Sequence, residues 1–257
     1  MAKLGPDQIS ALRTETPNAR ARDFAASLGI TEADLVAAFV GTTATVVTPH
    51  PDRLLPWIGR LGEVMALTRN EGCVHERVGT YLDYRSGAHG AMVLGPEIDL
   101  RVFAKHWVHA FAVEEASPDG PKRSLQVFDA AGDAVHKVHL KPQSNHALWP
   151  DLLANMRLEG QPQTLTLSPR RPVDPARANR DSAPALRAAW NRMTDTHQFI
   201  GLAKDHGMNR LGAYRVAGAP YVQRLEPEAV TLTLTQVANA AIPVMIFVGN
   251  PGCIQIH

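Results

Sequence analysis

Val64-Met-Ala-Leu-Thr-Arg-Asn-Glu-Gly-Cys-Val74 recurs further along the chain as Val244-Met-Ile-Phe-Val-Gly-Asn-Pro-Gly-Cys-Ile254. Both stretches read V-M-x4-N-x-G-C-[V/I], an apolar run that ends in turn chemistry. A weaker correspondence precedes it: Ala19 to Val40 resembles His197 to Gly218, with Gly29 opposite Gly207. Two matches in the same order and at nearly the same offset point to a duplicated unit of about 180 residues. The alternative is a strand and turn that arose twice.

Duplication has a consequence for the second unit. After Cys73 the first unit runs on to Gly160, whereas only Ile254-Gln255-Ile256-His257 follow Cys253, so the second half is expected to be incomplete. Between the units, Gly160 to Pro184 holds Pro162, Pro169, Pro172, Pro175 and Pro184 together with Arg170, Arg171, Arg177 and Arg180. That composition reads as an extended, solvated connector. The expected organisation is a first repeat over 1–160, a Pro/Arg-rich linker over 161–184 and a second, C-terminally truncated repeat over 185–257.

Local patterns set the fold class. Asn18 to Leu28 and Thr31 to Phe39 read as helices, the second with Thr31 as N-cap and Asp34 at capping-box spacing. From Gly62 onward, Val64–Arg69, Val74–Tyr84, Ala91–Leu94, Ile98–Phe103, Trp107–Glu115, Leu125–Phe128 and Ala134–Leu140 are short β-like runs with turn residues between them. In the second unit, Ala183 to His206 reads as one helix with Ser182 as N-cap. Leu186, Trp190, Met193, His197 and Ile200 then lie along one face. The expected class is α+β: two tandem homologous halves, each an antiparallel sheet with flanking helices.

Composition narrows the function. The chain has 257 residues, 45% hydrophobic and 20% charged, enough to bury a real core. Its 26 Lys+Arg against 25 Asp+Glu leave no overall basic field to attract nucleic acid. The first residues carry charges throughout and lack the apolar stretch of a secretory signal, so a cytoplasmic location is expected. The longest apolar run, Ala240 to Val248, contains Pro243 and is about half the roughly 20 residues a membrane helix needs, so no membrane insertion is expected. Two cysteines, Cys73 and Cys253, are too few for a disulfide framework or a zinc cage.

Eleven histidines invite a metal reading. The pairs His106/His109 and His136/His139 have a spacing that strands place on opposite faces, so neither pair chelates one ion without a bulge. A metal-dependent hydrolase built on those pairs would leave the repeat unexplained. His50, His89 and His146 read as loop residues. His197 differs, because an imidazole on an apolar helix face either finds a hydrogen-bond partner in the core or coordinates a metal. The satisfied core histidine is the commoner of the two.

Several segments carry a resemblance that bears on this choice. They are Gly62-Glu-Val-Met-Ala-Leu-Thr-Arg-Asn70, Glu97-Ile-Asp-Leu-Arg-Val-Phe103, His106-Trp107, Phe111-Ala-Val-Glu-Glu115, Ser124-Leu-Gln-Val-Phe-Asp129, Gly132-Asp-Ala-Val-His-Lys137, Met193-Thr-Asp-Thr-His-Gln-Phe199 and Phe247-Val-Gly-Asn-Pro-Gly-Cys-Ile-Gln255. Across nearly the whole chain, and in order, they resemble the hemin-degrading factor family of cytoplasmic haem-utilisation proteins in Gram-negative bacteria. The resemblance implies two tandem halves with one haem b, as ligand or substrate, in the cleft between them.

Carried over position by position, the resemblance makes His197 the axial, metal-binding ligand to haem iron. It places Arg101 over the opposite haem face as the catalytic candidate, Arg210 on a propionate, and Phe103 and Phe247 as apolar walls. These residue types suit the chemistry. A neutral imidazole ligates haem iron, and arginine stays protonated and donates without competing as a ligand. Arg210 can bond a carboxylate with charge assistance.

The implied function is intracellular haem binding and handling in haem-iron acquisition, by trafficking, by degradation that releases iron, or both. Ring opening needs an external reductant, because no G-x-G-x-x-G fingerprint for a flavin or nicotinamide is present. The implied partners are haem, a haem-import ABC transporter upstream and a haem oxygenase or reductant downstream. The missing end leads to two expectations: an uncovered edge on the second sheet, and haem binding weaker than in a complete two-half protein. A non-catalytic remnant with weak or no haem binding is the alternative.

Overall fold

The computed structural model describes residues 4–88, 90–196 and 198–257. Helices α1 (Pro6–Glu15), α2 (Ala21–Ser27) and α3 (Glu32–Ala37) lead into β1 (Ala44–Val47) and α4 (Pro51–Arg60). Eight strands follow: β2 (Val64–Arg69), β3 (Val74–Gly79), β4 (Tyr84–Arg85), β5 (Ala91–Leu94), β6 (Asp99–Val102), β7 (His109–Glu115), β8 (Lys122–Phe128) and β9 (Ala134–Leu140). Then come α5 (Trp149–Met156), α6 (Ala183–Asn191), α7 (Gln198–Asp205), α8 (Arg210–Ala217), α9 (Glu228–Asn239), β10 (Phe247–Gly249) and β11 (Cys253–Ile256). Two compact units result, one of Met1–Arg170 with Met245–His257 and one of Arg171–Val244.

The first unit is built on two antiparallel sheets, one ordered β1-β7-β8-β9-β2-β3 and the other β10-β11-β6-β5-β4. Period-two alternation places them. Along β2, Val64, Ala66 and Thr68 are buried while Met65, Leu67 and Arg69 are half-buried. Val64 and Ala66 from the six-stranded sheet join Val93, Leu100, Val102 and Cys253 from the five-stranded sheet in one core, with Leu54, Leu55 and Ile58 of α4 and Trp149 and Leu152 of α5. A second cluster of Ala33 and Ala37 of α3 with Phe111, Val113 and Phe128 forms around the six-stranded sheet. Beside it, Glu32 pairs with both Arg69 and Lys137.

The duplicated motif is repeated in the backbone. In the first copy Thr68 pairs with His75 and Leu67 with Glu76; in the second, Val248 pairs with Gln255 and Phe247 with Ile256, the same register. Asn70 Oδ1 accepts from the amides of Gly72 and Cys73, and Asn250 Oδ1 from those of Gly252 and Cys253. The helical match holds equally. Gly29 and Gly207 both have positive φ, and each is followed by an amide that bonds back five residues, Ile30 to Ala25 and Met208 to Ala203. Thr31 caps α3 through the Asp34 amide, with Asp34 returning the bond in the expected capping box, and Asn209 caps α8 through the Gly212 amide.

The interlock of the copies and the pairing of β11 with β6 put the last thirteen residues with the first unit. Asn70 Nδ2 donates to the Gly249 carbonyl and Asn250 Nδ2 to that of Arg69, so each turn bonds the other's strand. Trp107 Nε1 donates to the Gly252 carbonyl. Beneath it His136 is held by two hydroxyls, Thr68 at Nδ1 (2.8 Å) and Tyr81 at Nε2 (2.6 Å), with Trp107 stacked 6.1 Å away. Burial pushes the neighbouring Cys253 thiol up to about 12.

Two readings of the sequence need correction, the single helix and the strand placement of His106. The single helix over 183–206 is two, because Gln198 turns back onto Thr194 through the Thr194 amide and hydroxyl, satisfying the break with local side-chain bonds. The proposed stripe is therefore interrupted: Leu186 is buried on α6 while Ile200 on α7 is exposed. Ser182 stands at the N-cap position of α6 without a side-chain cap bond. His106 closes a short 3-10 turn, Ala104–His106, rather than a strand. The connector has no helix or strand over 161–179 and is mostly exposed, and its start is tied down locally: Gln161 brackets Val46 with two bonds, Ser168 bonds Ala130, and Arg170 pairs with Asp133 through both carboxylate oxygens. His197 and His89 lie outside the described residues.

Equivalent glycines separate the two turns. A Cβ on Gly252 would stand 2.5 Å from Val135 Cγ1, whereas on Gly72 the nearest atom would be Asn70 Oδ1 at 3.7 Å. Gly252→Ala is therefore expected to cost roughly 1–3 kcal/mol and Gly72→Ala less than about 0.5, read from urea unfolding midpoints. Burial holds the His136 imidazole down to about 3 and that of His139 down to about 4. Both take a proton in the unfolded chain first, so their contribution is complete above about pH 6.5 and shrinks as the pH falls towards those values. In urea titrations between pH 6 and pH 4.5, His136→Asn is expected to lose stability less steeply than the parent, by up to about 1.4 kcal/mol per pH unit.

Candidate functional site

Antiparallel pairing puts opposite residues on the same side of a sheet, so register alone assembles a surface. Gly249 faces Ile254, Ile254 faces Arg101, Arg101 faces Met92, and Met92 faces Arg85, one row across the whole five-stranded sheet. The next row on that side is Phe247, Ile256, Asp99 and Leu94. The intervening residues Leu100, Val102, Val93 and Cys253 are buried in the core. The outer face thus mixes apolar and charged side chains: Arg101 stands in its middle between the half-buried Ile254 and Met92, Ile256 is buried, and Arg85 and Phe247 at its borders are exposed, Phe247 by 60%.

Phe103 follows β6 directly, with its amide on the Gly252 carbonyl, and its ring lies over Gly90, where a Cβ would come within 3.4 Å of it. Gly249 gives room to its cross-strand neighbour Ile254, since a Cβ there would meet Ile254 Cγ1 at 3.1 Å. Asp99 pairs with Arg101, and Asp83 pairs with Arg85 through Nε at 3.0 Å and Nη2 at 2.6 Å, so both cations on this face have a carboxylate two residues back.

The structure therefore brings three of the anticipated residues, Arg101, Phe103 and Phe247, onto one surface although Phe247 is far from the others in sequence. Arg210 belongs to the second unit, where it is the exposed first residue of α8, behind the Asn209 cap. A cation there works against the helix dipole, so the helix gains nothing from it. His197, the anticipated iron ligand, lies outside the described residues. Met92, Ile254, Gly249 and Asp99 were not singled out from sequence. Asp99 alone left a signal, an acidic residue two positions before Arg101 in a strand.

The family model for the haemin-degrading HemS.ChuX domain matches residues 29–156 and 207–257. The chain belongs to the HemS/ChuX family. It is 36% identical over 245 residues to the hemin transport protein HmuS of Yersinia pestis, covering 95% of this chain and 70% of that protein. Among solved structures it is similar to holo-PhuS, a heme-binding protein from Pseudomonas aeruginosa, with a TM-score of 0.89 and 42% identity over 99% of this chain and 75% of that one. It is also similar to ChuS, an E. coli heme oxygenase, with a TM-score of 0.79 and 31% identity over 95% of this chain and 73% of that one. The two interlocked motif copies give this HemS/ChuX chain its two homologous halves. No helix among the described residues is long and apolar enough to cross a membrane.

The alternation of this sheet has a direct test. Leu100→Ala, inside the core, is expected to cost about 2–5 kcal/mol. Arg101→Ala and Phe247→Ala, on the outer face, are expected to stay within about 0.5 kcal/mol of the parent in urea unfolding.

Proposed function

We propose that this HemS/ChuX chain binds haem and handles it inside the cell in haem-iron acquisition, with the outer face of the five-stranded sheet as one wall of the site. The observation that supports this most is Arg101, a permanently charged donor in the middle of a sheet face, flanked across the strands by the half-buried apolar Ile254 and Met92. Such a surface suits a planar, largely apolar macrocycle whose iron needs a polar contact on one side. The family adds weight, because its members here are a hemin transport protein, a heme-binding protein and a heme oxygenase.

Within this reading His197 is the axial ligand and therefore the metal-binding residue, supplying a neutral imidazole. Arg101 donates to a water or hydroxide on the iron, and is the residue that bears on any chemistry at the ring. Phe103 and Phe247 are apolar walls, and Arg210 pairs with a propionate. The protein works in the cytoplasm, receives haem from a haem-import ABC transporter, and passes it to a haem oxygenase or opens the ring with electrons from an external reductant. The sequence repeats of this scheme run over 1–160 and 185–257, joined by 161–184.

Titration of the purified chain with hemin is expected to give a saturable Soret shift at one haem per chain. His197→Ala is expected to change that spectrum and weaken binding at least tenfold. Identical spectra in parent and variant would remove His197 as ligand, and no saturable shift in either would refute haem binding altogether. Adding a reductant to the loaded protein then separates the two outcomes for haem: loss of the Soret band with an identified tetrapyrrole product marks degradation, and an unchanged band marks transfer.

A further inference from the structure

Arg101 is not simply exposed on its sheet. Its two recorded bonds both use Nη1, one to the Asp99 carboxylate and one to the Leu100 carbonyl at 3.2 Å. Nε and Nη2 have no partner among the described residues. Asp99 sits on the same strand, held on one side by β5 and on the other by β11, with the buried Leu100 and Val102 fixing the strand's inner face. The carboxylate therefore stands on a fixed backbone at the end of a short side chain, while the guanidinium ends a long side chain with many rotamers.

We propose that Asp99 is a positioning residue: it anchors one arm of the Arg101 guanidinium so that the remaining donors, on Nε and Nη2, are presented above the sheet face. This rests on the haem-binding reading above and adds to it what aims Arg101. Asp99 and Arg101 have side chains 32% and 34% exposed, so their ion pair contributes little to stability, and removing it leaves the fold in place. The bond to the Leu100 carbonyl does not replace it, because at 3.2 Å and with a neutral acceptor it is the weaker of the two, a charge-assisted bond being roughly twice as strong.

Positioning and mere charge compensation have opposite signatures. With His197 on one side of ferric haem, water or hydroxide occupies the other, and a nearby guanidinium favours hydroxide. Arg101→Ala is therefore expected to raise the pH midpoint of the water-to-hydroxide transition, followed in the visible spectrum, by roughly one pH unit. If Asp99 positions Arg101, Asp99→Asn raises the midpoint nearly as far, the double variant goes no further, and Asp99→Glu restores most of the parent behaviour. If Asp99 only neutralises charge, Asp99→Asn leaves Arg101 in place and uncompensated, and the midpoint falls; a fall, or no movement, overturns the proposal.

Ligand-free NMR gives a second, haem-independent reading. Slow rotation with separate Nη signals for Arg101 is expected in the parent and fast rotation in Asp99→Asn. Fast rotation in the parent overturns the proposal. Failure to bind any haem would count against the proposed function instead, and the NMR would still decide whether Asp99 holds Arg101.

Discussion

Two asparagine side chains hold the two copies of one motif face to face. Each closes its own N-x-G-C turn with Oδ1 and donates from Nδ2 to the other copy, Asn70 to Gly249 and Asn250 to Arg69, with Asn250 also donating to Val135 of β9. A net hydrogen bond of this kind is worth about 0.5–1.5 kcal/mol; the Asn70 bond is exposed, whereas the Asn250 amide is part-buried, where leaving it unpaired costs more. Once the turns interlock, β11 is carried alongside β6, and the five-stranded sheet exists only as a product of both copies.

That joint strand pair is where the site comes from. Arg101 from one copy and Ile254 from the other stand opposite each other, and Phe247 arrives one row away through the β10–β11 hairpin. Neither copy alone has this surface. An arginine is tolerated among the apolar residues because it stays half exposed and carries its own counter-charge in Asp99, which keeps the face nearly neutral without removing the donors. A sheet face with a charged donor between apolar neighbours is the property that the haem reading uses.

Local signals in the sequence translated well where a residue's neighbours in the chain decide its state. The Thr31 capping box and the strands at 64–69, 91–94 and 134–140 fall where pattern placed them. His136 and His139 project to opposite faces of β9 for the same reason. Pattern misled after Asn191, where regular apolar spacing continued across a break at which Thr194 and Gln198 bond each other. It was also blind to the strap at 161–170, since Gln161, Gln163 and Arg170 find their partners on Val46, Val40 and Asp133. Of the candidate site, motif resemblance reached Arg101, Phe103 and Phe247, but Met92, Ile254 and Gly249 carry no local mark because their role is set by who lies across the sheet.

The amino-acid order by itself determined the duplication, the α+β class and the family, because a repeated turn motif, helix caps and period-two alternation are written in residues close together in the chain. Tertiary structure alone decided that Cys253 is buried where its counterpart Cys73 is exposed, that Gly252 is crowded where Gly72 is not, and that a strand of the second copy completes a sheet of the first. The reason is physical: hydrogen-bond donors on two distant turns, and the volume left beside Val135, acquire partners only when the chain has folded back on itself, and no window of sequence contains both members of those pairs.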